Sequence, residues 1–199
     1  MEGDTLCRHG SCRLKRVLRI DLHTHLYEAT RCDDPDRSLL DEVLDRARVK
    51  RLDGLGVTEH WDWEFGRRLV RLKGDLYPGD EFLLIPGREI EAGRDHFVEV
   101  LLPGDRLFRF LAHPAYGGAF SSSGNGLLSD VCGIEVANSM HTVIEERARQ
   151  IALENNLIVL RNSDAHYLSD IGIYSSELVW DRDEDRWWGY GVAGQLIPI

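Results

Sequence analysis

The sequence of 199 residues has few cysteines and no long apolar run. It contains no stretch of eighteen apolar residues, so no membrane-spanning helix is expected. No apolar segment follows the basic residues near its start, so no secretory signal is expected either. The cysteines are too few and too unevenly spaced for a disulfide framework, which favours reduced thiols in a cytoplasmic protein. They are Cys7, Cys12, Cys32 and Cys132.

Positive charge is also scarce. The 24 Lys and Arg residues face 34 Asp and Glu residues, and the formal net charge is −10. This argues against general nucleic-acid binding, which needs a basic face to release counterions. A local basic pocket is still compatible with the charge, and carboxylates are good ligands for hard divalent cations. The 43% hydrophobic content suits one soluble domain with a sizeable core. Whether the protein has a partner protein is left open by the sequence.

The chain divides into a short arm and one domain. Residues 1–16 are polar and are predicted to form a flexible arm, and residues 17–199 are predicted to form a single domain. Cys7, His9 and Cys12 lie close together in the arm, but their spacing matches no closed zinc site. Residues 116–126 are rich in Gly and Ser and are predicted to form a long loop near the active face. The tryptophan-rich residues 180–199 are interpreted as core packing, with a partner surface as the alternative.

Seven short apolar segments are predicted to be strands, separated by helices or loops. Residues 38–52 and 142–156 show helical spacing of apolar residues or a capping-box pattern, with Ser38 and Thr142 as the expected caps. This arrangement is typical of a mostly parallel α/β sheet, open or closed into a barrel. The predicted strands are residues 17–22, 54–59, 82–87, 96–102, 107–114, 133–138 and 157–162.

Histidines and carboxylates recur at the ends of these strands. His23 and His25 stand two residues apart after the first strand, so their side chains share one face. Taken alone, such a pair is a metal clamp or a coincidence. The carboxyl ends of parallel strands in an α/β barrel meet at one rim, where such folds place their chemistry. The recurrence therefore favours a metal site. The later residues of this kind are Glu59, His60, Glu89, His96, His113, Asp164 and His166.

The types of donor indicate the class of metal. Imidazole and carboxylate without cysteine fit Zn²⁺, Mn²⁺ or Fe²⁺. The donors outnumber those that one tetrahedral ion can take, so two or three divalent ions are expected. A carboxylate such as Glu89 can bridge two ions that lie about 3.5–4 Å apart.

The ordered motifs DLHTH, VTEH, PGREIE, DHFVEVLL, LAHP, GIEVAN and NSDAH resemble those of the polymerase and histidinol phosphatase (PHP) family. The resemblance covers about residues 17–170. It implies a distorted seven-stranded (βα)7 TIM-like barrel and metal-dependent hydrolysis of phosphoesters by a hydroxide held between ions. It also implies a set of metal ligands: His23, His25, His60, Glu89, His96, His113, Asp164 and His166.

Some positions depart from the family pattern. Glu59 stands where members usually have Asp, and we interpret it as a catalytic base or as a residue that supports the ligands. Many members have an Asp shortly after the first histidine pair that supports a third ion. Here Glu28, Asp33 or Asp34 could replace it, and the third ion is left open. His141 belongs to no ligand motif and is expected at the surface or rim.

Arginine is the expected contact for the phosphate group of a substrate, because guanidinium binds phosphate with two parallel hydrogen bonds. Arg161, close to the NSDAH motif, is the first candidate for such a catalytic and substrate-binding role. Arg88 and Arg94, on either side of the Glu89 motif, are the second candidates. A solvated surface position is the alternative for each of them. The expected substrate is a small phosphomonoester or a nucleotide.

Two other functions stay open. Amidohydrolases also carry a His-X-His at the end of a first barrel strand, but they are usually longer and often need a bridging modified lysine. The lysines here are Lys15, Lys50 and Lys73, and none ends a predicted strand. A non-catalytic, metal-stabilised accessory module is the second alternative, and the nearly complete ligand set argues against it.

Overall fold

The computed structural model describes residues 15–114 and 130–199, and the structural statements below concern these residues. Within these two ranges there are four α-helices, a short 3-10 helix and ten strands. The helices are α1 Leu26–Thr30, α2 Arg37–Val49, α3 Glu64–Leu76 and α4 Glu145–Asn155, with the 3-10 helix at Leu168–Asp170. The strands are β1 Lys15–Asp21, β2 Gly54–Val57, β3 Leu83–Ala92, β4 Asp95–Leu102, β5 Arg106–Ala112, β6 Gly133–Ala137, β7 Ile158–Arg161, β8 Ser176–Asp181, β9 Arg186–Tyr190 and β10 Leu196–Pro198.

The ten strands form one mixed sheet in the order β10-β9-β8-β1-β2-β3-β4-β5-β6-β7. Strands β1, β2 and β3 are parallel, as are β5, β6 and β7, while β4 runs antiparallel to both of its neighbours. Strands β8, β9 and β10 add an antiparallel meander beside β1. The prediction of an α/β fold is confirmed. The seven-stranded (βα)7 arrangement is not confirmed, because a parallel pair needs a long crossover and the turn between β3 and β4 has only two residues.

The sheet curves until its edge strand β7 approaches β8 and β9, so it is nearly closed into a barrel. Ser176 Oγ accepts a hydrogen bond from Arg161 N at 2.9 Å and donates one to Arg161 O at 3.0 Å. In β9, a Cβ atom at Gly189 would lie 2.3 Å from Ile158 Cγ2 of β7. A bridging hydroxyl and close side-chain packing therefore join the two sides.

Alternate side chains of the strands fill the barrel interior, because successive residues of a strand point to opposite faces. Outside the sheet, α2 and α3 cover one side with a second apolar cluster, and α4 covers another side with a third. The interior cluster consists of Leu18, Ile20, Leu22, Ile85, Val98, Val100, Leu102, Phe108, Phe110, Ala112, Ile158, Leu160, Leu178, Trp187 and Ile197.

The helix caps differ from the prediction. Helix α2 begins one residue earlier, and Asp36, not Ser38, caps it by accepting a hydrogen bond from Leu39 N at 2.9 Å. Helix α4 begins after Ile144 and has no side-chain cap, so the capping box at Thr142 is wrong. Helix α3 was not predicted, although Phe65 and Leu69 bury one of its faces.

The remaining predictions concern the two ends of the chain, the loop at 116–126 and the absence of a membrane-spanning helix. Strand β1 begins at Lys15, two residues before the predicted boundary. The Cys7, His9 and Cys12 group and the predicted loop at 116–126 lie outside the described residues. Trp187 is 1% exposed and its ring stacks on Trp180 at 5.0 Å, which confirms core packing for this part of the C-terminal segment. No helix in the described ranges is long and apolar enough to cross a membrane.

Candidate metal centre

All eight predicted ligands meet at one end of the barrel, and we call them the donor cluster. Most of them follow the carboxyl ends of strands, as expected for this type of fold. His96 is different, because it lies near the beginning of β4. Since β4 is antiparallel to β3, its first residues lie at the same rim as the last residues of β3.

Backbone hydrogen bonds bring the motifs together. His25 N donates to Ala165 O at 2.9 Å, and Asp164 N donates to His23 O at 2.8 Å, so the first histidine pair runs beside the NSDAH segment. Similarly, Glu89 N donates to Glu59 O at 3.1 Å, which places the end of the VTEH motif beside β3.

The carboxylate of Glu89 lies at the centre of the donor cluster. This side chain is 1% exposed. Its two oxygens face imidazole nitrogens that come from several different segments of the chain. A carboxylate in this position can bridge ions on its two sides. The distances to Glu89 are 2.8 Å for His96 Nδ1, 3.0 Å for His113 Nε2, 3.2 Å for His60 Nδ1, 3.3 Å for His25 Nε2 and 3.5 Å for His23 Nε2.

Asp164 provides the second buried carboxylate. Its Oδ1 lies 3.2 Å from His25 Nε2 and 3.5 Å from both His23 Nε2 and His166 Nδ1. Among the described residues this buried oxygen has no hydrogen-bond partner. An unpartnered buried carboxylate oxygen is costly unless a cation is bound beside it. Asp164 also has a φ of 55°, a strained left-handed conformation of the kind found at functional sites.

Glu28 lies at the outer end of the donor cluster. Its Oε2 is 3.0 Å from His166 Nε2, and its Oε1 is 3.6 Å from His60 Nε2. Of the three acids that could replace the missing family Asp, Glu28 is therefore the one that reaches the histidines. Asp34 instead faces a cation, with its Oδ1 3.5 Å from Arg68 Nε.

The spacing of the donors fits bound divalent ions. Around an ion with bonds of about 2.0–2.2 Å, adjacent donor atoms are separated by about 3.0–3.6 Å. His23 Nε2 and His25 Nε2 are 3.1 Å apart, and several nitrogen–carboxylate distances fall in the same range. Four groups of three donors have all their ligand atoms within 4.8 Å of one another: His25, His60 and His166; His23, Glu89 and His113; His23, His25 and Asp164; and His113, His141 and Asp164.

Glu135, which the sequence analysis did not select, supports the donor cluster from below. It lies on β6 and is fully buried. Its Oε1 accepts from His23 Nδ1 at 3.0 Å and from Asn162 Nδ2 at 2.9 Å, and its Oε2 accepts from His113 N at 2.8 Å and Asn138 Nδ2 at 3.0 Å. Such a partner orients the ring of a metal-binding histidine and directs its other nitrogen to the ion. An acidic residue inside the apolar strand GIEVA was the signal in the sequence.

Asp21 is a second buried acid that the sequence analysis missed. Its oxygens accept hydrogen bonds from Ser163 N at 3.0 Å, Ser163 Oγ at 2.5 Å and Gly172 N at 2.9 Å. Burial raises the pKa of Asp21 to about 6, although these hydrogen bonds act in the opposite direction. Asp21 thereby ties the segment that carries Asp164 and His166 to β1.

Charges within the donor cluster shift the protonation of its members. Burial acts to raise the pKa of Glu89, but hydrogen bonds from His113, His23 and His25 outweigh it and hold that pKa well below its ordinary value. Burial acts to lower the pKa of His23, but Asp164 and Glu135 outweigh it and hold that pKa well above 6.5. Protons and metal ions compete for the same nitrogens, so a bound ion would replace these protons.

Glu59 does not touch the donor cluster through a hydrogen bond. Its Oε1 accepts from Leu26 N at 2.7 Å and Tyr27 N at 3.1 Å, which are the first amides of α1. Burial raises the pKa of Glu59 to about 7, while the charge of His25 lowers it. Glu59 thus holds the segment that carries Glu28.

Two of the three predicted arginines lie on the outer face of the barrel, and the third lies at its rim. Arg161 points outward from β7 and its Nη2 lies 2.6 Å from Glu145 Oε1, because Leu160 and not Arg161 occupies the inward face. Arg88 Nε donates to Glu99 Oε2 at 2.9 Å on the outer face of β3. Arg94 is exposed in the turn between β3 and β4 at the rim.

A different arginine, which the sequence analysis missed, lines a cavity of about 360 Å³ beside the donor cluster. Arg68 on α3 donates from Nη2 to Asp33 O at 3.1 Å, and its buried Nε has no hydrogen-bond partner in the described part of the chain. The cavity is lined by Tyr27, Glu28, Asp33, Glu59, His60, Asp62, Phe65 and Arg68.

No protein-family model matches the sequence, and no curated protein matches it. Three solved structures are similar to this chain. One is a two-domain protein from Bacteroides vulgatus that contains a predicted PHP-like metal-dependent phosphoesterase. The TM-score is 0.57 at 20% identity, over 90% of this chain and 61% of that one. The chain thus spans less than two thirds of that protein's length.

The other two structures are PsfC from Pseudomonas syringae and a protein from Bifidobacterium adolescentis that is assigned by prediction as a metal-dependent phosphoesterase. PsfC has a TM-score of 0.60 at 20% identity, over 83% of this chain and 82% of PsfC. The Bifidobacterium adolescentis protein has a TM-score of 0.54 at 12% identity, over 75% of this chain and 88% of the Bifidobacterium chain. The protein therefore has the fold of the PHP-like metal-dependent phosphoesterases, and the resemblance that its motifs indicate is confirmed at the level of the fold.

Proposed function

We propose that this protein is a metal-dependent phosphoesterase that hydrolyses a small phosphomonoester or a nucleotide with two or three divalent ions, Mn, Zn or Fe. The observation that carries the proposal is the position of Glu89, whose buried carboxylate faces imidazoles from the ends of several strands at 2.8–3.5 Å. Neighbours of the same fold are named as phosphoesterases, which favours this chemistry over amide hydrolysis.

The donors divide among neighbouring positions around Glu89. His23, His25 and Asp164 would hold one ion, and His60 and His166, together with Glu28, would hold a second ion. His96 and His113 would hold a third. Bound divalent ions would supply an activated water at neutral pH and neutralise the charge of the phosphate oxygens.

The protein itself would orient the substrate. The cavity beside His60 and Glu28 has the size of a site for a small organic molecule. Arg68 presents a guanidinium group there, which suits a phosphate oxygen. Arg94, at the rim, would be the second contact. Arg161 and Arg88 are paired with glutamates on the outside of the barrel and do not line this cavity, so we assign them lesser roles than the sequence suggested.

The test combines metal analysis with turnover. The purified full chain is assayed by elemental analysis and for hydrolysis of p-nitrophenyl phosphate with and without added Mn²⁺, beside a panel of amides and lactones. The proposal expects two or more ions per chain and turnover of the phosphoester that depends on the metal. It expects Glu89→Gln to lose both, while Glu177→Gln, at an exposed position of β8, keeps both. Preference for amides would support an amidohydrolase. Bound ions with no turnover of any substrate would support the accessory module.

A further inference from the structure

His141 lies beside the donor cluster although it belongs to none of the predicted ligand motifs. It is in the segment between β6 and α4, and its side chain is 56% exposed. Its Nε2 lies 3.7 Å from Asp164 Oδ2, and its ring centroid lies 4.2 Å from that of His113. The ring therefore covers the donor cluster from the solvent side.

Asn138 holds His141 in this place. The side-chain oxygen of Asn138 accepts hydrogen bonds from Met140 N at 2.8 Å and from His141 N at 2.9 Å. Its side-chain nitrogen donates to Glu135 Oε2 at 3.0 Å and to Asp164 Oδ2 at 3.2 Å. One side chain therefore fixes both the backbone of His141 and the carboxylate that His141 faces, so the approach of the imidazole to Asp164 is built into the fold.

The donor atoms have the geometry of an ion site. His113 Nε2 lies 3.8 Å from Asp164 Oδ2, close to the 3.7 Å that separates the same oxygen from His141 Nε2. The three donors lie within 4.8 Å of one another. These distances are longer than hydrogen bonds and slightly exceed the separation of about 3.0–3.6 Å between donors around one ion, so a small movement of the exposed His141 ring would complete the site.

We propose that His141 is an additional ligand of the third ion, which it shares with His113 and with Oδ2 of Asp164 on the solvent side of the donor cluster, while Oδ1 of Asp164 faces His25 of the first ion. This inference rests on the proposed metal centre. The exposure of His141 opens this ion to solvent and to chelators. Its occupancy therefore depends on a residue outside the ligand motifs.

The first test compares metal binding by the wild-type chain and two variants. Zn²⁺ affinity and stoichiometry are measured by chelator competition for wild type, His141→Ala and Met140→Ala, whose exposed side chain belongs to the same turn. In His141→Ala one ion is expected to be lost or to bind at least about tenfold more weakly than in wild type, in line with losses at metal-site residues. Met140→Ala is expected to bind as wild type does. Equal affinity and stoichiometry in His141→Ala and wild type would overturn the role of His141 alone. Fewer than one ion in wild type would overturn the metal centre with it.

The second test asks whether residue 141 touches the ion. In His141→Cys loaded with Co²⁺, a thiolate ligand would produce a charge-transfer band in the near ultraviolet that wild type and Met140→Cys lack. Its appearance is expected, since Cys can replace His as a ligand at this position. A His141→Cys protein that binds Co²⁺ with a wild-type spectrum would contradict the proposal. This readout is independent of catalytic activity.

Discussion

His23 Nδ1 lies 3.0 Å from Glu135 Oε1, and both side chains are fully buried. Because Glu135 is acidic, it accepts the proton of Nδ1, and the other ring nitrogen of His23 is left free to face Glu89 and His25. The first histidine of the DLHTH motif is thus oriented by a residue on a strand far from it in sequence.

The first prediction concerns this pair. Glu135→Gln is expected to lower the affinity for the tightest divalent ion by about 10–100-fold, because a neutral amide orients the His23 ring less firmly and makes it less basic. Chelator competition on purified protein measures the change. Glu177→Gln on β8 removes an exposed charge that is not part of the donor cluster and should leave the affinity as in wild type. An unchanged affinity in Glu135→Gln would show that Glu135 has only a packing role.

Removal of metal should lower the melting temperature. Ions that bind only the folded state stabilise it by about 2.7 kcal/mol at a free concentration of 100 Kd. For a chain of this size that corresponds to roughly 5–10 °C. Thermal denaturation with and without a chelator gives the shift. The melting temperature of Glu89→Gln should respond little to the chelator, since its central carboxylate is gone. A wild-type curve that ignores the chelator would contradict the prediction.

The dependence of stability on pH can be tested at Glu99, which is distant from the ligands. Glu99 is 3% exposed and is paired with Arg88 at 2.9 Å and with Arg109 Nε at 2.8 Å. Burial acts to raise the pKa of Glu99, but hydrogen bonds from Arg109 and Arg88 outweigh it and lower the pKa below its ordinary 4.5. The stabilisation is therefore present above pH 4.5 and is lost as the pH falls through the lowered value.

Glu99→Gln should accordingly reduce the free energy of unfolding at pH 7 by about 1–3 kcal/mol, because two arginines lose their charged partner. The difference from wild type should shrink as the pH is lowered below 4.5. Urea denaturation over a pH series measures it. A difference that stays constant over the whole series would show that charge pairing is not the cause.

Two arginines can be compared as contacts for the phosphate. Arg68→Ala is expected to raise KM for a phosphomonoester by about 10–100-fold, since a charged hydrogen bond contributes about 1.5–3 kcal/mol, and to change kcat less. Arg161→Ala should alter neither constant much, because its guanidinium lies 2.6 Å from Glu145 on the outside of the barrel. Steady-state kinetics decides between them. A larger effect in Arg161→Ala would restore the role that the sequence motifs suggested for it.

The near closure of the sheet depends on the absence of a side chain at Gly189. Gly189→Ala should destabilise the protein by about 1–3 kcal/mol, because the new methyl group would lie 2.3 Å from Ile158 Cγ2. Gly74→Ala is the matched control. A Cβ there meets nothing within 4 Å and lies on α3, so stability should rise by up to about 1 kcal/mol. Equal unfolding free energies for the two variants would show that β7 and β9 can move apart at little cost in stability.

The sequence by itself determined the positions of the first seven strands and the donors at their ends. Apolar runs report strands because buried strands have to be apolar, and the histidines stand out at their ends. The predicted starts of all seven strands agree with the structure to within two residues. The eight donors named from the motifs all lie in one cluster.

Only the tertiary structure decided the direction of β4, the meander β8–β10 and the residues that support the donors. Periodicity along a chain carries no information about which distant strands pair or which buried acid faces which histidine. Glu135, Asn138 and Arg68 therefore escaped detection, although each is visible in the sequence. The orientation of Arg161 was also decided by the sheet, since the alternation of β7 points Leu160 inward and turns Arg161 outward to Glu145, and its catalytic role stays a prediction. The sequence thus indicated a set of metal-binding donors, and the pairing of the strands decided which other side chains surround them.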